Sequence, residues 1–536
     1  MEELQRIIWI SIILIIIISV KDKIKMALPI LLVIAGLVLS LTHLLPSMDL
    51  NPEMIFYVVL PPILFDAAWN TSIPDFKKEL PRISLLAFGL VFLTTTIVAV
   101  FVHSLIPSFG WALSFVLGSV ISPPDAVAAT SITKNIPIPK RLTTILEGES
   151  LLNDASALIA YKFAVIAVVS GAFSLWEASY QFILVSLGGI VMGIFIGFLF
   201  LKAHRFINDN SNVETFAVVL LPFAIYSLAE HLGCSGVLAV VVLGMYLSWN
   251  SFSVFTANSR IQMGHFWEVM IFILNGLVFL LLGMQLPKII SDIPSLQILT
   301  LIFYGFLIFL ILVLVRFVVL FAFPLFDKRD RNSKGNHSQA NKEYLILSWS
   351  GMRGVVSLAA AFALPVNIHS GQTIEQRSTV LFISFIVILF TLIIQGITLP
   401  RLIKLIKPEP NDSNDEYRLN KLLLEKSISY LHQFSANDHI FQEARDVMIS
   451  KLGNEEIQLL NKKENTSGTD RQSECKKAYF QLELRLAAYQ REELEKNYQQ
   501  GVFPLETVRR KEWELDFWIT TIQHEIEQIN YTSPNP

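Results

Sequence analysis

Apolar residues run in long, nearly uninterrupted stretches over the first three quarters of the chain. The stretches are about 17 to 30 residues long, which is enough for an α-helix to cross a hydrocarbon core roughly 30 Å thick. Strand-like alternation of apolar and polar positions does not run through them, so the pattern favours helices over a barrel. It predicts thirteen spans, near 4–20, 26–45, 52–69, 82–105, 111–133, 142–170, 176–203, 214–232, 234–249, 264–287, 295–324, 343–366 and 378–404. The eighth and ninth are separated only by Gly233.

Basic residues are distributed very unequally between the loops. Loops on the cytoplasmic side of a membrane are enriched in Lys and Arg. Loops that follow odd-numbered spans carry Lys21, Lys23, Lys25, Lys77, Lys78, Arg82, Lys134, Lys140, Arg141, Lys202, Arg205, Arg260, Lys328, Arg329, Arg331, Lys334 and Lys342. Those after even-numbered spans carry only Lys288 and Arg377. The pattern predicts a multi-pass protein of the cell membrane, with its N-terminus outside and its C-terminus in the cytoplasm.

Charge density divides the chain into two parts. Residues 1–407 hold 26 basic and 22 acidic side chains, whereas the much shorter segment 408–536 holds 16 and 23. The whole chain is 53% apolar and 16% charged, against about 25% charged in soluble proteins. We therefore predict a transmembrane domain at 1–407 in contact with the lipid bilayer. The segment 408–536 is predicted to be a small helical cytosolic domain without a catalytic motif.

Several other classes of protein are disfavoured. Cys234 and Cys475 are the only cysteines, too few for a disulfide framework or a zinc site. The apolar run at 4–20 follows two glutamates and lacks a small-residue cleavage pattern, so we expect a retained span. Metal-ligand histidine spacing and a nucleophile–base pair are both missing from the spans. We therefore predict neither an enzyme nor a resident cofactor, and no nucleic-acid partner.

The fifth predicted span contains Ser122, Pro123, Pro124 and Asp125 in its middle. Adjacent prolines remove two backbone donors and cannot lie inside an intact helix, so the helix must break there. A buried charge in a span is costly and is a functional candidate by default. Asp125 is either a cation ligand or only the N-cap of the helix that restarts.

The sixth predicted span carries Glu149, Asn153 and Asp154 near its middle. Glu149 and Asn153 are four residues apart and share one face of a helix. Carboxylate and amide oxygens suit a small cation, and a carboxylate can take up a proton when the cation leaves. The alternative is a structural network of hydrogen bonds and ion pairs between helices. Ser150 on the same turn is a further candidate ligand.

The twelfth predicted span contains Gly351, Met352, Arg353 and Gly354. A guanidinium does not lose its charge in a protein, so Arg353 needs an anionic partner or water. The flanking glycines predict an unwound backbone. We expect a fixed counter-charge to Glu149 or Asp154; direct contact with the ion is the alternative.

Spans five and twelve would occupy matching positions in two six-span halves. Interrupted helices at matching positions are typical of a transporter binding site, and an odd offset gives the halves opposite orientations. The sequence thus predicts inverted repeats. Asp66, near the inner end of the third span, is a weaker site candidate whose side chain can instead extend to the interface.

With these residues in place, the chain resembles bacterial Na⁺/H⁺ antiporters of the monovalent cation:proton antiporter-1 family, the NhaP and sodium/hydrogen-exchanger group. The resemblance covers nearly all of residues 50–404. It is carried by LPPILFDAAW at 60–69, SPPDAVAAT at 122–130, EGESLLNDASAL at 147–158, FWEVMIFILNGLVFLLLGMQL at 266–286 and WSGMRGVVSLAAA at 349–361.

The resemblance implies an all-α fold of thirteen helices with NhaA-like inverted repeats, and a homodimer. It implies that Asn153 and Asp154 bind the cation and exchange the proton, and that Asp125 completes this site. Glu149 and Arg353 would form a buried stabilising ion pair. Asp66 stands where relatives often have glutamate.

The implied function is exchange of Na⁺, or Li⁺, for H⁺ by alternating access. Because Asn153 and not a second aspartate precedes Asp154, we expect one proton per cation and an electroneutral cycle. K⁺/H⁺ exchange is the nearest alternative, since an oxygen site suits both ions. A passive cation channel is a second alternative, which would conduct without moving protons.

Overall fold

A computed structural model describes most of the predicted membrane part and short pieces of the tail. The described residues are 9–17, 19, 28–42, 52–106, 108–126, 129–130, 138–171, 173–204, 206, 210–291, 293–322, 337–365, 376–406, 415–433 and, in the tail, 445–446, 448–453, 480, 483–488, 490, 514–515 and 517–523. The chain forms two compact units, Met1–Asn411 and Asp412–Pro536.

Every regular element among these residues is a helix. The helices of the first unit are α1 (9–17), α2 (Leu28–Leu41), α3 (Pro52–Asn70), α4 (Ile73–Leu105), α5 (Trp111–Ile121), α6 (Lys140–Ser170), α7 (Leu175–His204), α8 (Ser211–His231), α9 (Gly236–Val254), α10 (Ala257–Ser291), α11 (Ser295–Ala322), α12 (His337–Trp349), α13 (Val355–Phe362) and α14 (Arg377–Ile406); the second unit contains α15 (Asp415–Gln433). Helices α3, α4 and α14 each contain one wider, π-helical segment.

The all-helical membrane architecture is confirmed. Of the described helices, eight are long and apolar enough to cross a membrane, and three shorter ones are also apolar. The helices lie where spans were predicted, but the count of thirteen stays a prediction. Parts of several predicted spans, 131–133 and 323–324 among them, lie outside the described residues.

The weakest predicted boundary, between spans eight and nine, is a true break between helices. Helix α8 ends at His231, and Gly233 adopts a left-handed backbone with φ of 74°. Such a conformation ends helices and favours glycine. The hydroxyl of Ser235 then accepts a hydrogen bond from the main-chain N–H of Leu238 and caps α9.

Both predicted interruptions are present, and they touch each other. Helix α5 ends at Ile121, directly before the paired prolines. Helix α12 ends at Trp349, and a short non-helical segment precedes α13. The main-chain N–H of Asp125 donates to the carbonyl oxygen of Met352 at 2.7 Å, so the backbones of the two breaks are hydrogen-bonded.

Helices α2 and α10 pack with their backbones in contact. A Cβ atom on Gly36 would lie 2.1 Å from the carbonyl oxygen of Leu280, and one on Gly283 would lie 2.1 Å from that of Val33. Lipid tails are as apolar as the helices themselves, so close backbone packing through small residues is a main source of helix association in a membrane.

We therefore expect Gly283→Ala to destabilise the protein. The new methyl group must push two backbones apart, at a cost of about 1–3 kcal/mol for overpacking, which exceeds the gain of up to about 1 kcal/mol in helix propensity. The measurement is the melting temperature of the detergent-solubilised protein, followed by fluorescence-detected size-exclusion chromatography.

Gly264→Ala is the matched control, because Gly264 lies on the same helix and a Cβ there would meet no atom within 4 Å. We expect its melting temperature to be unchanged or slightly higher. Equal melting temperatures for the two variants would contradict the backbone contact.

Candidate functional site

Asn153 of α6 holds the break after α5 with one end of its amide. Its Nδ2 donates to the carbonyl oxygen of Pro124 at 2.7 Å, and the residue is 0% exposed. Since a carbonyl oxygen only accepts, the amide nitrogen must face Pro124, and this fixes the amide orientation. The other end, Oδ1, is buried and finds no hydrogen-bond partner among the described residues. Asn153 therefore presents an unused oxygen ligand.

Ser150, one turn earlier on α6, binds the far side of the same break. Its Oγ accepts a hydrogen bond from the main-chain N–H of Ala126 at 3.2 Å. Ser150 and Asn153 are three residues apart and lie on one helix face. One face of α6 is thus hydrogen-bonded to the residues immediately before and after Asp125.

Asp154 lies close to Asp125 and carries no hydrogen bond or ion pair to any described side chain. The two carboxylates are near enough to interact electrostatically. Neighbouring carboxylates in an apolar environment repel each other unless a proton or a cation neutralises part of their charge. The pair is therefore suited to binding one or the other.

Gly354 makes room for Asp125. A Cβ atom on Gly354 would lie 1.7 Å from Oδ2 of Asp125, although its backbone, with φ of −114°, is one that any residue can adopt. The glycine is thus required for space. Because Gly354 directly precedes α13, the Asp125 carboxylate lies at the N-terminal end of that helix, where the helix dipole favours negative charge.

Glu149 forms a bidentate ion pair with Arg316 of α11. The two nitrogen–oxygen distances are 2.5 and 2.7 Å, and the residues are 1% and 2% exposed. The Nε of Arg316 also donates to the carbonyl oxygen of Leu347 at 3.0 Å. A Cβ on Gly351 would lie 2.7 Å from Cδ of Arg316, so this glycine lets the arginine pass.

The prediction that Arg353 forms the ion pair with Glu149 is wrong. The guanidinium of Arg353 donates to the carbonyl oxygens of Ile121 at 2.7 Å and Gly351 at 3.0 Å. It therefore caps the C-terminal end of α5, where a helix favours a cation. The Arg353 side chain binds these carbonyls, and the guanidinium of Arg316 on α11 donates two hydrogen bonds to Glu149 instead.

Arg316 was missed although the sequence carries a signal for it. It is the only charged residue in the long apolar stretch 295–324. A lone charge deep in a span is a functional candidate by default, and its partner then has to be sought on another helix.

Asp66 of α3 is not tied to this cluster by any described hydrogen bond. Its Oδ1 accepts from Nδ2 of Asn70 on the same helix at 3.0 Å. Its charged neighbour is Glu268 of α10. Contact between Asp66 and a cation stays a prediction.

We expect Glu149→Gln and Arg316→Met each to lower the melting temperature strongly, because each leaves one buried charge without its partner, at a cost of about 3–5 kcal/mol. Combining them removes both charges, so the double variant should be more stable than the two single effects predict. The measurement is a double-mutant cycle of melting temperatures in detergent.

A parallel cycle with Glu149→Gln and Arg353→Met serves as the control. It should give clearly less coupling, since Arg353 is bound to main-chain carbonyls. Equal coupling in both cycles would contradict the assignment of Arg316 as the partner.

Comparison with known proteins gives the same family as the sequence motifs. The family model for "Sodium/hydrogen exchanger, transmembrane" matches residues 10–405. A "Sodium, potassium, lithium and rubidium/H(+) antiporter" of Bacillus pumilus is 35% identical over 367 residues, which are 66% of this chain and 54% of that protein. This chain thus spans about half the length of that relative. The "Uncharacterized Na(+)/H(+) exchanger YjcE" of Escherichia coli is 32% identical over 395 residues, 71% of this chain and 72% of that protein.

The fold has a solved counterpart. The sodium proton antiporter MjNhaP1 of Methanocaldococcus jannaschii matches with a TM-score of 0.58 at 20% identity, covering 76% of this chain and all of that structure. At this identity the likeness concerns the fold, and it confirms the predicted antiporter architecture. Together with the family match, it shows that this chain belongs to the sodium/hydrogen exchanger family.

Proposed function

We propose that this protein exchanges a monovalent cation, first of all Na⁺, for H⁺ across the cell membrane. Two observations carry the proposal. Among the described residues, the Asp154 carboxylate has no hydrogen-bonded side-chain partner and Oδ1 of the preceding Asn153 is unused. Both residues lie on α6, and Asn153 contacts the crossing of the two interrupted helices. Asp125 adds a second carboxylate at the same place. Hard oxygen ligands of this kind suit small cations such as Na⁺.

The chemistry follows from one carboxylate having two possible partners. When Asp154 binds the cation, its negative charge is compensated and it has no need of a proton. When the cation leaves, a proton replaces it. The cation and the proton cannot occupy the carboxylate at the same time. Each time the site moves across the membrane it therefore carries one of them, as alternating access requires.

Glu149 and Arg353 have fixed partners and hold the site in place. Glu149 is bound to Arg316 through both carboxylate oxygens, so its partner is fixed. Arg353 fixes the end of α5. Asn153 contributes an oxygen but no exchangeable proton. With Asp154 as the one carboxylate that exchanges a proton, we infer an electroneutral cycle of one H⁺ per cation.

Substrate range and setting belong to the same proposal. The Bacillus relative is named for four alkali cations, which keeps K⁺ and Li⁺ as further substrates here. We place the N-terminus outside and the C-terminus in the cytoplasm, on the basis of the basic loops. A homodimer is inferred from the family resemblance, and we propose a transporter without enzymatic activity.

The first test is acridine-orange dequenching in everted membrane vesicles. Addition of Na⁺ should dequench the dye in vesicles that contain the wild-type protein, because protons leave as Na⁺ enters. Asp154→Asn should abolish the response, since an amide cannot exchange a proton. Adding Li⁺ and K⁺ in separate runs gives the cation preference.

Asp446→Asn is the matched control: the same chemical change at an exposed position of the tail, which should leave dequenching at the wild-type level. A response that persists in Asp154→Asn would refute the assignment of this carboxylate. Cation flux without proton movement would indicate a channel instead.

The stoichiometry has its own test. Solid-supported membrane electrophysiology on proteoliposomes should show no sustained charge movement on a Na⁺ concentration jump, while a trapped pH dye reports exchange in the same preparation. Asp154→Asn proteoliposomes give the background signal. A sustained current that requires an intact Asp154 would contradict one-for-one exchange.

A further inference from the structure

A small cavity lies against Asp154 on one side of the crossing. It offers about 10 Å³ to the centre of a water molecule, the space that about one water needs. Its walls come from α5 and the break that follows, from α6 and from α13. Most of the wall is apolar. The polar groups in it are Ser119, Asp154, Tyr161 and Ser357.

The cavity follows one face of α6 away from Asp154. Asp154, Ala157, Leu158 and Tyr161 line it, with the spacing of a single helical face. Tyr161 is seven residues beyond Asp154, about 10 Å along the helix axis at 1.5 Å per residue. The cavity thus lies on the side of Asp154 that faces the Ser170 end of α6.

Tyr161 carries a buried hydroxyl that has no described partner. The residue is 7% exposed, and its hydroxyl makes no hydrogen bond within the described part of the chain. Leaving a buried hydroxyl without a hydrogen bond is destabilising. A phenylalanine would fill the same space without this cost, so packing alone does not account for the hydroxyl.

The opposite walls present two more hydroxyls. Ser119 of α5 donates to the carbonyl oxygen of Val116 at 2.9 Å, which leaves its oxygen lone pairs available. Ser357 of α13 has no hydrogen bond to any described residue. The three hydroxyls and Asp154 are therefore the polar groups in an otherwise apolar cavity wall.

Arg377 indicates which end of the helix bundle the cavity faces. Its side chain donates to the carbonyl oxygens of Leu364 at 2.8 Å and Phe362 at 3.0 Å, at the end of α13. It also lies close enough to Tyr161 to interact electrostatically. Arg377 belongs to one of the basic-poor loops, which the proposed orientation places outside the cell.

We propose that this cavity is the extracellular limb of the ion pathway, and that Tyr161 is the polar group that an ion meets between Asp154 and the outside. The phenol oxygen replaces part of the hydration shell of a cation, and its O–H can donate to a water that accompanies the ion. This inference rests on the proposed exchange at Asp154. It adds a residue that determines access from one side only.

The test compares apparent KM for Na⁺ from each side in proteoliposomes of defined orientation. Tyr161→Phe keeps the ring and removes only the hydroxyl. Losing one hydrogen bond to a charged or strongly polarised partner corresponds to about a tenfold to hundredfold rise in apparent KM from the extracellular side. From the cytoplasmic side we expect a change of less than about twofold.

Tyr226→Phe is the matched control, since Tyr226 is also buried but lies on α8 and outside the cavity. It should leave both apparent KM values unchanged. Changes in Tyr161→Phe that are equal on the two sides, or absent from both, would overturn the inference. If such changes are absent while Asp154→Asn abolishes exchange, the proposed function stands and only this pathway is refuted.

A second variant tests access directly. Tyr161→Cys in a Cys234→Ser, Cys475→Ser background should be modified by a membrane-impermeant methanethiosulfonate added outside, with loss of exchange, and Na⁺ should slow the modification. Inertness towards the outside reagent, or faster modification from the cytoplasmic side, would overturn the assignment. The modification rate and the exchange activity are both measured on Tyr161→Cys protein whose size-exclusion profile matches that of the wild type.

Discussion

Every main-chain group at the two helix breaks has to find a partner within the protein, because the hydrocarbon core supplies none. Asp125 donates its N–H to Met352, and Asn153 donates to Pro124. Arg353 covers the open end of α5 with its guanidinium and uses its own N–H on the Thr391 hydroxyl. Among the described groups, the Asn153 oxygen is left without a hydrogen bond, and no described side chain binds the Asp154 carboxylate. The candidate site therefore includes polar atoms that the described hydrogen bonds of the crossing do not use.

Hydrogen-bond partners also distinguish two carboxylates on one helix. Glu149 and Asp154 are five residues apart on α6, yet Glu149 is bound at both oxygens by Arg316 whereas Asp154 lacks a described partner. The bidentate contact with the Arg316 guanidinium fixes the first in place. The second can alternate between partners. The division of labour depends on α11, which brings Arg316 to the crossing through the space left by Gly351.

The sequence predicted those features that depend on local backbone chemistry. Paired prolines and paired glycines determine where α5 and α12 end, and Gly233 separates α8 from α9 whatever the tertiary surroundings. Loop charges supplied the orientation, which stays a prediction.

Tertiary partners were harder to predict. Arg316 and Arg353 both lie inside late spans. Which of them meets Glu149 depends on how α11 packs against the break, and no local pattern specifies this. The motif drew attention to Arg353 because it lies between glycines, whereas the partner is the arginine without neighbouring polar residues. Tyr161 left no signal beyond its spacing from Asp154, since an unpaired hydroxyl is visible only once its surroundings are known.

The two faces of α6 differ in a way that bears on how the site changes sides. Ser150 and Asn153 tie one face to the break by directional hydrogen bonds. On another face, Leu151 and Ala155 belong to an apolar cluster with residues of α3, α8, α9 and α10. Hydrogen bonds in a dry interior are lost when their partners separate, whereas apolar contacts are non-directional and can re-form after a shift. The crossing and α6 are therefore suited to move as one body, with the apolar cluster as the surface on which they slide. In the proposed alternating-access cycle, this arrangement would let the candidate ion ligands keep their mutual geometry while the side to which they are open changes.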